Sequence, residues 1–407
     1  MRQDLLQYTR ADVSADPRSG NISAAGPDEG IVTKALRLLC NGIDPEAEDS
    51  ADHSAAQGFA IVPSSRQPRC LLPLGDPRWA LKGLSMLRLQ AWRWRISKAL
   101  LAGVVKTGWK GWARERIFVA QDRLRPLANA VRGATGESKP VFAILLGVPG
   151  LYRKLTVLAM SPNGKTLGYI KLPLTDAAGG HVRHEAEVLH ELGEVAGLRG
   201  NVPTLLHSQE WQNGCMLFQS GGAGKRGPTR FTGGHERFLR RLWEARPVQK
   251  SGQVLVDEVG RRWQEVVPRL TSEERHAGEL ALQKARKCLD GVAVRCGLMH
   301  GDFAPVNTLL QADGELFVFD WEWAEFDQPI IWDVLHFHAR AAVMCQEPEF
   351  PMNWAQFGSG DLATDKGLLL LYCLDSLSTL LIDPASPTRA TAYHRRWLEK
   401  AVADEVI

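Results

Sequence analysis

The sequence lacks most of the features that would place it quickly in a large class. Its seven cysteines (Cys40, Cys70, Cys215, Cys288, Cys296, Cys345 and Cys373) are odd in number and widely scattered, and no two stand at CxxC spacing. Neither a zinc site nor a disulfide framework follows, and a reducing, cytoplasmic setting is expected. No stretch reaches the roughly 18 apolar residues that a membrane-spanning helix requires. The opening MRQDLLQYTR has no apolar run of the signal-peptide kind. No GxGxxG loop precedes Lys171 and no nucleic-acid-binding motif is present, so nucleic acid is not an expected partner.

What is present is a chain of 407 residues, 44% hydrophobic and 23% charged, with room for two or three domains and a sizeable core. The net charge of +3 conceals an uneven distribution. Met1 to Gln57 carries ten acidic and five basic residues, whereas Arg78 to Arg132 carries thirteen basic residues and only Glu115 and Asp122 as acids. Residues 1–57 read as an acidic, poorly ordered leader with one helical island at Ile31 to Leu39. Residues 58–138 read as a basic, Trp-rich, partly helical extension, with strand-like pieces at Phe59 to Val62 and Cys70 to Leu72. Its Trp79, Trp92, Trp94, Trp109 and Trp112 alternate with Arg and Lys. Such a segment can lie peripherally on an anionic membrane, or pack its Trp and Leu inward with the basic heads in water; the second reading is the simpler one.

From Lys139 the pattern changes. Val141 to Leu146, Leu155 to Met160 and Thr166 to Lys171 predict an antiparallel meander, with Ser161-Pro162-Asn163-Gly164 as a turn. The connection from Gly147 through Gly150 to Lys154 could cover phosphate oxygens with backbone amides. Lys171 ends the third strand, and a helix over about Gly180 to Leu192 follows. A Glu one turn into that helix could hold the Lys171 ammonium toward a phosphate, and Glu185 fits the buried side better than Glu187. A zinc HExxH site fails, because Val188 stands where the second His is needed. Val202 to His207 and Cys215 to Gln219 predict two more strands. Ser220 to Gly227 resembles a Walker A loop only superficially, because Arg226 follows Lys225; it reads as a hinge. Residues 139–220 thus form a β-lobe and residues 221–407 a helical lobe. The helices are expected at His235–Ala245, Val254–Val267, Ser272–Cys296, Ile331–Met344, Lys366–Leu381 and Thr388–Val402. The fold class is α+β and two-lobed, with a cleft between the lobes.

The densest chemical signal is Met299-His300-Gly301-Asp302-Phe303-Ala304-Pro305-Val306-Asn307, followed by Phe319-Asp320-Trp321-Glu322. Asp302 and Asn307, five residues apart on a Pro-containing loop, can point a carboxylate and an amide into one cavity. Asp320 closes an apolar run and can join them. Two oxygen ligands and a spare carboxylate suit a hard cation that bridges phosphates, with a base nearby.

This arrangement, His300-Gly301-Asp302-x-x-x-x-Asn307 with Asp320-Trp321-Glu322, resembles the signature of aminoglycoside/choline-kinase-type phosphotransferases, relatives of the protein kinases. The resemblance covers about residues 140 to 400 and implies a protein-kinase-like fold. It implies that Asp302 is the catalytic base and that Asn307 and Asp320 hold Mg²⁺. Lys171, fixed by Glu185, would grip the phosphates of ATP or GTP, and the backbone from Gln219 and Ser220 to Gly222 would meet the base. Asp333 resembles a structural Asp that braces the catalytic loop. Gly301, where protein kinases have Arg, and Trp321-Glu322 in place of Phe-Gly favour the small-molecule branch. The expectation is therefore nucleotide- and Mg²⁺-dependent transfer of a phosphoryl group to a hydroxyl of a small molecule or glycan. The alternative is a nucleotide-binding pseudokinase or adaptor.

Overall fold

The computed structural model describes residues 30–40, 56–87, 92–212, 214–345, 358–383, 386 and 388–403. Most of the acidic leader lies outside these residues, as do the side chains of Trp92 and Trp94. The chain divides into two compact units. One comprises residues up to Glu187 together with Thr204–Gly221; the other comprises Val188–Pro203 and everything from Gly222 onward.

The first unit opens with helix α1 (Ile31–Leu39), strands β1 (Ala56–Val62) and β2 (Cys70–Pro73), and helices α2 (Pro77–Ser85) and α3 (Trp92–Lys106). Strand β3 (Arg116–Ala120), helix α4 (Arg125–Thr135), and strands β4 (Val141–Leu145), β5 (Lys154–Met160) and β6 (Thr166–Pro173) follow. Helix α5 (Asp176–Gly193), whose residues from Val188 on belong to the other unit, and strands β7 (Leu205–Trp211) and β8 (Gly214–Gln219) complete it. The strands form one antiparallel sheet of eight in the order β3-β1-β2-β4-β5-β6-β8-β7.

Both faces of this sheet are covered, which is why its strands read as nearly continuous apolar runs. Phe142, Ile144, Leu155, Val157, Ile170 and Leu172 pack with Leu36, Leu39, Leu127 and Val131 of α1 and α4. The alternate residues face the other way: Leu72 packs with Ala80, Leu84 and Val105 of α2 and α3, and Ala143, Leu158 and Met160 form a second cluster there. Helix α2 lies so close to the sheet that a Cβ at Gly83 would come within 2.7 Å of the Ala143 Cβ.

The boundary at 138/139 needs correction. Strand β2 pairs directly with β4, Cys70 opposite Leu145 and Leu71 opposite Ile144. Residues 58–138 are therefore part of the same sheet as the meander, not an appended module. The sequence reading missed β3 and α4, whose contribution to the sheet depends on distant pairing. Among the described side chains of the basic segment, Trp79 and Trp112 pack inward, and the Trp79 indole N–H donates to the Pro162 carbonyl at 2.9 Å. Ile96, Leu100 and Trp109 are exposed.

The second unit is mostly helical. It comprises β9 (Lys225–Arg226), α6 (Gly233–Ala245), β10 (Val248–Ser251), α7 (Gly252–Val266), α8 (Ser272–Cys288) and β11 (Ala293–Met299). Then come β12 (Thr308–Leu310), β13 (Leu316–Val318), β14 (Glu325–Pro329), α9 (Trp332–Cys345), α10 (Leu362–Ile382) and α11 (Thr388–Val402). Its strands form two three-stranded sheets, β10-β11-β14 and β13-β12-β9. Helix α10 is apolar nearly all round because it packs against α7, α8 and α11.

The single helix expected over Ser272–Cys296 also needs correction. It starts at a Thr271–Glu274 capping box but ends at Cys288. Gly291 then takes a left-handed φ of 67°, and the chain turns into β11, which leads straight to the loop around Asp302. No helix among the described residues is long and apolar enough to cross a membrane.

Candidate active site

The residues singled out from the sequence fall into two groups, one in each unit. In the first unit Lys171 lies on the interior strand β6, between Thr156 of β5 and Leu217 of β8. Ile170 and Leu172 are fully buried on one face, so the pleat places Lys171 on the other. Its ammonium lies 2.6 Å from both oxygens of Glu185. Glu185 is buried on α5 beside Val182 and Leu189, whereas Glu187 is exposed. Lys171 is 4% exposed and Glu185 fully buried. A buried pair of this kind contributes little net stability, yet losing one partner strands a charge at a cost of about 3–5 kcal/mol. Such a pair holds an ammonium in one place.

The Gly147–Lys154 connection is built for backbone approach. Gly147 has a φ of 68°, and a Cβ there would run into the Lys154 carbonyl oxygen. The loop is pinned by the Thr175 hydroxyl, which donates to the Leu151 carbonyl at 2.6 Å. Gly150 lies within it. The Arg153 side chain reaches back to the Leu146 carbonyl at 3.1 Å.

Gln219 ends β8 opposite Tyr169. It is 4% exposed, and its Oε1 is buried without a hydrogen-bond partner among the described residues. Ser220 is engaged with Thr204: its N–H donates to the Thr204 carbonyl, and its hydroxyl oxygen accepts from the Thr204 N–H.

In the second unit the loop after β11 is fixed from several directions. Asp333, at the start of α9 and fully buried, accepts the His300 N–H at 2.8 Å and the Gly301 N–H at 3.1 Å. Burial raises its pKa to about 7, against the opposing effect of those two bonds. Gly301 has a φ of 78°, and a Cβ there would collide with the Trp323 carbonyl. His300 is also fully buried. Its Nδ1 accepts the Asp302 N–H at 3.2 Å, so its Nε2–H must be the donor to the Phe319 carbonyl at 3.1 Å. Burial lowers the His300 pKa to about 4, so the ring is a neutral strut between Asp302 and the residue before Asp320.

Asn307 is 5% exposed, and both contacts of its Nδ2 go to Asp302: the backbone carbonyl at 2.9 Å and Oδ2 at 2.8 Å. Two acceptors require the NH₂ group on that side, which leaves the amide oxygen facing away from Asp302. Asp320 has a φ of 74°, an unusual conformation for a residue other than glycine and one that structures hold mainly at functional positions.

The other Asp302 oxygen, Oδ1, is held by residues that the sequence reading did not identify. His336 Nε2 lies 3.0 Å from it and Arg340 Nε lies 3.6 Å from it, both on α9. Burial would raise the Asp302 pKa, but Arg340 and the His336 bond hold the carboxyl below its ordinary value. The available signal was spacing: Asp333, His336 and Arg340 stand on one side of a helix, three and then four residues apart.

Asn307 and Asp320 offer an amide oxygen and a carboxylate, a hard donor set that fits Mg²⁺ rather than a thiolate-loving metal. The arrangement in the second unit can hold an ionised carboxylate and supply oxygen ligands. The arrangement in the first can hold a cation at a fixed place on a rigid sheet.

No family model matches the sequence, and no curated protein matches it. Among solved structures the chain is similar to a thermostable mutant of aminoglycoside phosphotransferase APH(4)-Ia in its apo form. That match has 14% identity and a TM-score of 0.48, and covers 68% of this chain and 98% of that one. The GDP complex of wild-type aminoglycoside 2'-phosphotransferase-IIIa is similar at 15% identity and a TM-score of 0.46, covering 69% and 98%. Likenesses this distant carry no statement about chemistry.

Proposed function

We propose that this chain is a phosphotransferase that moves the γ-phosphoryl group of ATP or GTP to a hydroxyl of a small molecule or glycan. The observation that carries the reading is Asp302, a carboxylate kept ionised by Arg340 and His336 and locked to Asn307 at 2.8 Å. An ionised carboxylate on a braced loop can accept a hydrogen bond from an acceptor hydroxyl and orient it for in-line attack. Asn307 and Asp320 would hold Mg²⁺, which when bound neutralises the charge on the nucleotide phosphates. Lys171, held by Glu185, would bind phosphate oxygens, and the backbone around Gly147 and Gly150 would cover them. The unpartnered Gln219 Oε1 suits an amino group on a purine, with Ser220 and the residues after it along the base.

The decisive experiment is a nucleotide-consumption screen against aminoglycosides, choline-like alcohols, sugars and glycans, repeated with Asp302→Asn. The wild-type protein is expected to turn over at least one acceptor. The variant should lose about 10²- to 10⁴-fold in kcat with its fold retained. Undiminished turnover in Asp302→Asn overturns the reading. Nucleotide binding with no turnover on any acceptor would place the chain among adaptors.

A further inference from the structure

We propose that His336 is a positioning residue for Asp302, held by a line of donors that starts inside the helical unit; this rests on the phosphotransferase reading. The Asp302 carboxylate is gripped at both ends. Oδ2 accepts from Asn307 at 2.8 Å, and Oδ1 faces His336 Nε2 at 3.0 Å. Arg340, at 3.6 Å, is too far for a directional bond and acts through its charge. His336 is therefore the group that sets the direction of Oδ1.

The chemistry fixes the ring's tautomer. An ionised carboxylate has only acceptors, so Nε2 must carry the hydrogen. In the neutral ring Nδ1 is then an acceptor, and the Tyr372 hydroxyl lies 3.4 Å from it. Tyr372 is 3% exposed, burial pushes its pKa above the ordinary value, and Ser376, one turn further along α10, bonds to the same hydroxyl. Donors thus run one way, from Ser376 through Tyr372 and His336 to Asp302. A histidine whose far nitrogen is held in this way cannot take the opposite tautomer without losing two bonds.

The helix explains the placement. Asp333, His336 and Arg340 share one side of α9. The first holds the backbone N–H groups of the loop, and the other two hold the side chain of Asp302. The His336 and Asp302 side chains are 20% and 25% exposed, so the pair is not sealed from a ligand. With both oxygens tethered, an acceptor hydroxyl meets a carboxylate of one orientation. Misplacement of such a group by about 1 Å costs roughly 10²-fold in rate.

The test compares His336→Leu, which removes the donor, with His336→Gln, whose amide nitrogen can reach the position of Nε2. With whichever acceptor the wild type uses, His336→Leu is expected to lower kcat about 10²-fold while KM for the nucleotide stays within about threefold. His336→Gln should return kcat to within about tenfold of wild type. A purely structural histidine would lower the melting temperature and leave kcat per folded molecule unchanged. Wild-type kcat in His336→Leu overturns the proposal, and so does a Gln variant no better than Leu.

If the wild type transfers phosphate to nothing, the phosphotransferase reading fails separately, and the ring can still be read directly. Nitrogen-15-labelled histidine should show His336 carrying a hydrogen at Nε2, with the Nε2 signal moving in Asp302→Asn. A bare Nε2, or a signal indifferent to Asp302, overturns the proposal without reference to activity.

Discussion

The two units solve the burial of charge in opposite ways. The sheet unit buries an ion pair, Lys171 with Glu185. The helical unit buries a population of titratable groups, His235, His300, His338, His394 and Asp333, and half-buries Asp375. A single pair is a fixed point whose value lies in not moving. A network of histidines and carboxylates defines directions, but its bonds depend on which protons are present.

The largest expected effect follows from that dependence. His235, His300, His338 and His394 are each lowered by burial to about 4. The unfolded chain therefore takes up protons near the ordinary histidine value that the folded chain refuses, and this stability is lost as pH falls through that range toward 4. Asp333, raised to about 7, and Asp375, raised to about 6, act in the opposite sense. They favour the folded state at low pH, and that contribution is lost as pH rises through their folded values. Four histidines against two aspartates leave a net uptake of about two protons on unfolding, roughly 2–3 kcal/mol of stability lost per pH unit between about 6 and 4. Hydrogen exchange followed by mass spectrometry at pH 7, 6 and 5 should show peptides of the helical unit losing protection before those of the eight-stranded sheet. Loss from the sheet first would break the comparison.

The next prediction concerns the fixed pair. Lys171→Ala should destabilise the protein by about 3–5 kcal/mol in a denaturant titration, because it leaves Glu185 charged and buried. Lys171→Met combined with Glu185→Leu should recover most of that loss, with no recovery of nucleotide turnover. Recovered turnover would show that the ammonium has no part in the chemistry.

Gly301→Ala is the counterpart in the helical unit. Its Cβ meets the Trp323 carbonyl at a positive φ, so the loop must shift, and turnover should fall on the order of 10²-fold while exchange protection in the sheet is unchanged. The smallest effect is expected for Trp79→Phe, which removes the indole bond to Pro162; about 1 kcal/mol of stability and no change in kcat should result.

How much of this was legible in the sequence depends on the range of each contact. The meander and its turn could be read because Val141 to Leu145 and Leu155 to Met160 are short apolar runs of strand length and Ser161-Pro162-Asn163-Gly164 interrupts them. The Asp302, Asn307 and Asp320 set could be read because a short loop and hairpin bring these residues close in sequence. The strand β11 was hidden behind a helical pattern, since Val294, Cys296 and Leu298 continue the apolar residues of α8 and only Gly291 marks the break. His336 and Tyr372 were not found because His336 reaches Asp302, and Tyr372 reaches His336, from two later helices, 34 residues downstream and 36 beyond that. Periodicity shows that a helix has a buried side; it does not say which polar residue on that side meets a given carboxylate.

The pairing of β2 with β4 has a practical consequence for anyone dissecting the chain. A fragment beginning at residue 139 would keep every residue of the candidate chemistry yet expose β4 as a bare strand edge, with Leu145 and Ile144 stripped of their partners Cys70 and Leu71. Both faces of that strand are apolar, and the helices α2 and α4 that cover them would be gone. An open, flat, hydrophobic edge recruits other strands, so such a fragment should associate with itself and precipitate rather than behave as a smaller working enzyme.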